Sequence, residues 1–298
     1  MGDAGEPDRC RQGVGGLRML LTGHRGQLGR ALYRAAGAVG WPVAGVDLPE
    51  LDITDAMATA RAIRAFAPEV IVNCAAFTAV DAAEAKEVEA FQLNAGAVEQ
   101  LAGVAAEVGA LLVQISTDYV FDGTLARPYR EEDEACPLSV YGRSKLAGEL
   151  AAMGAPRWLV VRTAWLFGHG GRNFVEAIRS QLAGGARTLR VVHDQTGSPS
   201  YAEDVARALV RLLEVGARGV VHVVNEGSAT WFEVAQEIVA QLGAAAEVVP
   251  ISTRESQRPA ARPAYSVLDT SRLRSLVGES LPPWQDALRR YLAGEGGG

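Results

Sequence analysis

The sequence predicts an α/β fold, a doubly wound parallel sheet with a smaller C-terminal region, on three observations. Short apolar runs alternate with helical patterns of about 10–15 residues, the rhythm of strand–helix–strand units. The first apolar run ends in a glycine-rich turn, Gly23-His24-Arg25-Gly26-Gln27-Leu28-Gly29, that opens a helical pattern. An acidic residue, Asp47, closes the second apolar run. Glycines after the first strand and a carboxylate at the end of the second are the fingerprint of a Rossmann-type dinucleotide site.

The elements follow in order. Residues 17–22 (LRMLLT) form the first strand, apolar up to Gly23. A helix runs from Gln27 to about residue 39, and a second strand spans 42–47. Residues 55–66 read as a helix, 70–73 as a strand, and 81–108 as one long or two consecutive helices. The β-like run 111–116 leads into a loop whose turn signals are Asp122-Gly123 and Pro128. A helix over 140–152 and a strand over 158–163 continue the alternation. Beyond Trp165 the pattern loosens: 173–182 is helical, 189–192 extended, 202–213 helical and 220–224 strand-like. Thr230 is placed to cap a helix over 231–242, 254–263 reads as an ordered loop, and a last helix spans 283–292. The expected organisation is a disordered leader over 1–16, a dinucleotide-binding domain over 17–165 and a mainly substrate-binding domain over 166–298. Some segments of the last are expected to return to the first domain, and 294–298 to form a loose tail.

Composition excludes several classes. A net charge of −6 with no basic cluster argues against a nucleic-acid partner. No apolar run reaches the ~18–20 residues that span a bilayer. The polar, glycine-rich N-terminus lacks the apolar core of a signal peptide. Cys10, Cys74 and Cys136 have neither CxxC spacing nor an even count, which points to a reducing compartment. Cys74 reads as a small buried hydrophobe. The expected location is the cytoplasm. The histidines are scattered without metal-ligand spacing, and no metal is expected.

Chemistry enters with Thr117 and, downstream, Tyr141-Gly142-Arg143-Ser144-Lys145. On a helix, Tyr141 and Lys145 lie one turn apart on one face. A phenol of pKa about 10 is a weak acid, and a nearby ammonium lowers that value, so the pair suits proton transfer. Thr117 can hold the substrate oxygen against the phenol. Tyr and Lys at this spacing also occur on ordinary surface helices, so the pair alone is weak evidence. At the glycine turn, Gly23, Gly26, Gln27 and Leu28 are expected against a pyrophosphate. Asp47 as partner of a ribose 2′-hydroxyl favours NADH, whereas His24 and Arg25 as partners of a 2′-phosphate favour NADPH. Both stay open. Asp52 and Ile53 are placed at the adenine edge, and Ala75 and Ala76 are small enough to let a cofactor pass closely.

Nine segments, in order, carry a resemblance: TGHRGQLG (22–29), NCAAFTAVDAAE (73–84), STDYVFDG (116–123), YGRSK (141–145), RTAWLFG (162–168), NFV (173–175), DQTGSPS (194–200), TWFE (230–233) and RPAYSVLDTSRL (262–273). With them the chain resembles the extended short-chain dehydrogenase/reductases and, more narrowly, the dTDP-4-dehydrorhamnose reductase family. The resemblance implies NADPH- or NADH-dependent reduction of the 4-keto group of a dTDP-linked 6-deoxyhexose. Tyr141 would donate the proton, Lys145 would lower the Tyr141 pKa and hold the nicotinamide ribose, and Thr117 would bind the reacting oxygen. It also assigns Trp165 and Asn173 to the substrate, and puts Thr78 and Val80 in the sugar pocket, Thr78 also touching cofactor. Arg258 and Arg262 are candidates for the diphosphate, because guanidinium forks match phosphate oxygens.

Asp118 and Tyr119 belong to the same substrate segment. Related 4,6-dehydratases carry an Asp-Glu pair there, and Tyr119 in place of the Glu favours simple reduction. An epimerase, a 4-ketoreductase of antibiotic-type deoxysugars and a non-catalytic regulatory subunit are the alternatives. Some relatives share a Mg²⁺ between subunits through a carboxylate early in the first helix. Arg30-Ala31 stands there instead, so a homodimer stays open without that geometry.

Overall fold

The computed structural model describes residues 16–296, so the expected leader, apart from Gly16, lies outside the described residues. The central sheet has six parallel strands: β1 (Met19–Thr22), β2 (Val43–Val46), β3 (Val70–Asn73), β4 (Leu111–Thr117), β5 (Trp158–Thr163) and β6 (Gly219–His222). Their spatial order is β6-β5-β4-β3-β1-β2. β1 lies between β2 and β3, so the winding reverses there. Sheets of this kind take ligands in the crevice beyond the carboxyl ends of the strands at such a reversal.

Successive strand residues point to opposite faces. Met19, Leu21, Val70 and Val72 enter one core with the helices Gln27–Ala38 and Ala202–Glu214. Leu20, Ile71 and Leu112 enter another, against the helices Ala56–Phe66 and Ala97–Val108. Both faces are covered, which is why these strands read as unbroken apolar runs. A further core gathers C-terminal residues, among them Val175, Leu189, Ile238, Trp284 and Leu288. β6 and the helix Ser271–Val277, through Leu273, pack on the central sheet instead. Among the described residues no helix is long and apolar enough to cross a membrane.

Several segments depart from the sequence reading, four of them near the site or at the C-terminal end. The span 81–108 is neither one helix nor two. It comprises Val80–Ala83, Glu87–Phe91, a π-helical turn Gln92–Gly96 and Ala97–Val108. The chain leaves helical geometry at Lys86 (φ −131°, ψ 45°), while the apolar period, which sequence reading follows, runs on across the break. The strand Glu247–Ile251 has no counterpart in the sequence reading. It contains Pro250, which confines it to a small edge pairing with Thr188–Val192. A short helix, Thr253–Ser256, opens the stretch expected to be all loop. The tail is held as far as Glu295, whose carbonyl accepts from the Tyr201 hydroxyl and lies 3.0 Å from His169 Nε2.

Candidate active site

A cavity of about 1100 Å³ runs across the carboxyl edge of the sheet, from the turn after β1 to the helix Val140–Ala152. At its first end Gly23 adopts φ +65°, which favours glycine, and a Cβ there would lie 2.6 Å from the Ala75 nitrogen. A Cβ on Gly29 would press on the Gly23 carbonyl oxygen and lie 2.6 Å from His24 Cα. The helix Gln27–Ala38 starts at Gly26 with no side-chain cap and no acidic residue in its first turn. Its unspent N–H groups and positive dipole end are therefore open to an anion. Gly23, Gly26, Gln27 and Leu28 line the cavity here, with Asp47, Asp52 and Ile53 past β2. Ala75, Ala76 and Thr78 line it past β3. A cradle that any Cβ would fill, next to an uncapped helix start, fits a dinucleotide pyrophosphate.

Gly29→Ala is expected to strain this turn by about 1–3 kcal/mol, because backbone atoms rather than a flexible side chain must move. NADPH affinity, read by fluorescence titration, should fall about tenfold or more. Affinity equal to that of the unchanged protein would mean that the turn is not the cradle.

His24 and Arg25 do not reach this cavity. The Arg25 guanidinium donates to the Leu48 carbonyl (2.6 Å) and to Glu50 (2.5 Å). Both residues line a separate cavity of about 460 Å³ with Arg30, Tyr33 and Arg34. The left-handed turn at Gly23 throws them outward, and the His24 ring fills the space that a Cβ at Gly45 would need. Asp47 is fixed at the rim, accepting from the Arg25 and Leu48 backbone nitrogens, both at 2.9 Å. Asp52 accepts from the Thr54 backbone and hydroxyl at 2.9 and 2.8 Å.

At the other end stand Thr117, Tyr141 and Lys145, all lining the cavity. Ser139 caps the helix that carries the last two, accepting from the Gly142 nitrogen at 3.1 Å. Asn94, on the π-helical turn, ties this helix to the loop after β3: it donates to Ser144 Oγ (2.9 Å) and accepts from the Phe77 nitrogen (2.8 Å). Beneath the floor a buried ladder runs from Thr22 to Asn73 to Gln114, whose amide donates to the Ile115 carbonyl at 3.0 Å. Lys145 Nζ donates to the same carbonyl at 2.6 Å. Burial pushes Lys145 down to about 8, against the opposing pull of Glu149 and Cys74. Burial likewise pushes the Cys74 thiol, which lines the cavity, up to about 12.

Burial also raises Tyr141 above the ordinary phenol value, and a hydrogen bond with Thr117 pulls it back. Lys145 uses one of its three N–H donors on Ile115, one helical turn from Tyr141. Neither Asp118 nor Tyr119 lines the cavity. They lie on the 3-10 turn Asp118–Val120 that follows Thr117, whose hydroxyl accepts from the Tyr119 nitrogen at 3.2 Å. Asp118 accepts from Thr117 (3.0 Å) and from Ser266 (2.6 Å), and burial pushes it up to about 6. The Tyr119 ring meets Tyr141 edge-on at 5.5 Å, and burial pushes its phenol up to about 12.

Trp165, at φ +46°, forms the third wall together with Val80. Trp231, which reads from sequence as a packing residue, also lines the cavity and stacks on Trp165 at 3.5 Å and 5°. Its Nε1 donates to Gln195 at 3.2 Å, and the absence of a side chain at Gly197 makes room for the Trp165 ring. Asn173 is spent elsewhere. It caps the helix Phe174–Ala183 and donates to Gln27 and to the Gly168 carbonyl, each at 3.0 Å. Arg258 and Arg262 both donate to Asp81, at 3.0 and 2.9 Å, and neither lines the cavity. Burial pushes the Asp81 carboxyl upward, but the bonds from Arg262 and Arg258 outweigh it and hold it at about 2. Sequence reading also missed Thr163, a lining residue whose buried hydroxyl has no protein partner among the described residues.

Comparison with known proteins places this geometry. Residues 17–295 match the family model described as the RmlD substrate binding domain. A dTDP-4-dehydrorhamnose reductase of Mycobacterium tuberculosis is 44% identical over 285 residues, covering 93% of this chain and 92% of the relative. A probable dTDP-4,6-dihydroxy-2-methyloxan-3-one 4-ketoreductase of Streptomyces antibioticus is 42% identical, covering 92% and 94%. The crystal structure of dTDP-4-dehydrorhamnose reductase from Bacillus anthracis in complex with NADP matches with a TM-score of 0.90 at 35% identity, covering 93% of this chain and 99% of that one. The chain belongs to the RmlD substrate binding domain family, that of the dTDP-4-dehydrorhamnose reductases.

Proposed function

We propose that this protein reduces the 4-keto group of a dTDP-linked 6-deoxyhexose with NADPH or NADH. The observation that carries the reading is the placement of Thr117, Tyr141 and Lys145 at one end of a cavity whose other end is the glycine cradle. The bound cofactor supplies the hydride. Tyr141, with its raised pKa, keeps its proton at neutral pH and can give it to the ketone oxygen as charge develops there. Thr117 offers its hydroxyl beside the phenol. Lys145, pinned at Ile115, brings a positive charge that favours the phenolate left behind.

Dehydration would need an acid–base group at position 119, where Tyr119 stands instead of a carboxylate, which favours reduction. We assign sugar or thymine packing to Trp165 and Trp231, and substrate binding chiefly to the C-terminal core. Free Cys74 and Cys136 fit action in the reducing cytoplasm.

The test is consumption of NADPH or NADH, followed by loss of nicotinamide absorbance, with a dTDP-4-keto-6-deoxy sugar present. Turnover with at least one such sugar is expected, and none across a panel of C5 epimers would sink the reading. NMR of the product fixes the C4 configuration.

A further inference from the structure

Tyr141 and Lys145 are followed one turn later, on the same helical face, by Glu149. Its side chain is fully buried, and its carboxylate is held from two strands. Arg162 on β5 grips both oxygens, Nε to Oε1 at 2.9 Å and Nη2 to Oε2 at 2.7 Å. Ser116 on β4, next to Thr117, donates to Oε1 at 2.5 Å. Behind Arg162 lies Phe121, with the guanidinium 5.1 Å from the ring centroid.

We propose that Glu149 is a positioning residue for the reduction: anchored by Arg162 and Ser116, it keeps Lys145 charged and in place at the Ile115 carbonyl. Removing this carboxylate leaves Arg162 a buried cation without its anion and takes away the negative charge one helical turn from Lys145. The charged form of Lys145 then becomes harder to keep. The other titratable groups facing the pair cannot substitute. Cys74, from the segment after β3, is held as a neutral thiol by burial, and Tyr141 is a neutral phenol. His222 on β6, buried beside Arg162, is pushed down to about 3 and stays neutral. Glu131 is engaged by the His222 backbone nitrogen at 2.9 Å.

The role in turnover rests on the reductase reading, but the ionisation of Lys145 can be read without it. Lys86 and Lys145 are the two lysines of the chain. Protein labelled at lysine with ¹³C therefore gives two side-chain titrations by NMR, with exposed Lys86 as internal reference. Lys145 is expected to titrate near pH 8 in the unchanged protein. In Glu149→Gln it should titrate about one unit lower or more, and the alkaline limb of turnover should move down with it. An unmoved Lys145 titration overturns the proposal, even if Glu149→Gln lowers the melting temperature. If Glu149→Gln does not fold, Glu149→Gln combined with Arg162→Met leaves no unpaired partner of the former ion pair. Lys145 should again titrate below its position in the unchanged protein, and an unshifted value again overturns the proposal. Failure of the reductase reading is separate, because it appears as absent turnover in the unchanged protein.

Discussion

Tyr141→Phe is expected to lose about 10²–10⁴-fold in turnover, the usual contribution of a positioned general acid. The substitution removes the hydroxyl and keeps the ring, so the edge-on contact with Tyr119 and the shape of the cavity persist. What disappears is the proton at the phenol oxygen, beside Thr117. The loss should therefore fall on kcat, with substrate KM and NADPH affinity little changed, the signature of an interaction made in the transition state. Steady-state kinetics and NADPH titration on the same preparation separate the two. A variant that kept more than about a tenth of the turnover would remove Tyr141 from the role of proton donor.

The largest stability effect is expected at Asp204, far from the chemistry. Its buried carboxylate lies on the helix Ala202–Glu214, which packs on the central sheet. It receives Arg290 at 3.0 and 2.7 Å, Asn225 at 2.7 Å, and Arg207. Arg290 belongs to the helix Trp284–Leu292 of the C-terminal core, so this cluster joins the two cores. Asp204→Ala leaves Arg290 with only Asp286 and the Asn225 amide with only the Pro282 carbonyl, at a cost of about 3–5 kcal/mol. For a chain of this size that lowers the melting temperature by roughly 10 °C. The half-exposed partner Asp286, which accepts from Arg290 at 2.9 Å, should cost below about 1 kcal/mol when replaced by Ala. Equal effects for the two substitutions, measured by denaturant unfolding, would contradict burial as the cause.

Much of this was legible in the sequence, for identifiable reasons. Parallel strands buried on both faces leave apolar runs that need no tertiary knowledge to see, and the strands over 70–73 and 158–163 coincide with β3 and β5. The glycine turn declares itself because only glycine tolerates the conformation at Gly23 and the contact at Gly29. The spacing of Tyr141 and Lys145 is a property of one helix. Glu149 continues that spacing by one more turn and could have been picked out by it, though nothing local says that the carboxylate faces inward.

Contacts between distant segments were not legible. Arg258 and Arg262 carry the chemistry of phosphate ligands, yet Asp81, about 180 residues earlier in the chain, takes both. Asn173 has the makings of a substrate contact and is consumed as a helix cap. Trp231 gains its place in the site because Trp165, far upstream, turns onto it.

The sequence by itself determined the parallel α/β class, the glycine turn after β1, and the spacing that puts Tyr141 and Lys145 on one helical face downstream of Thr117. Each of these depends on local geometry, a turn, a strand end or one helical face. Tertiary structure alone decided which polar groups remain free to act. It bonded Asp118 to Ser266, tied Lys145 to the Ile115 carbonyl and anchored Glu149 beneath the site. The physical reason is burial. Away from water each polar group must find a partner, and that partner comes from whichever strand or helix the fold brings alongside.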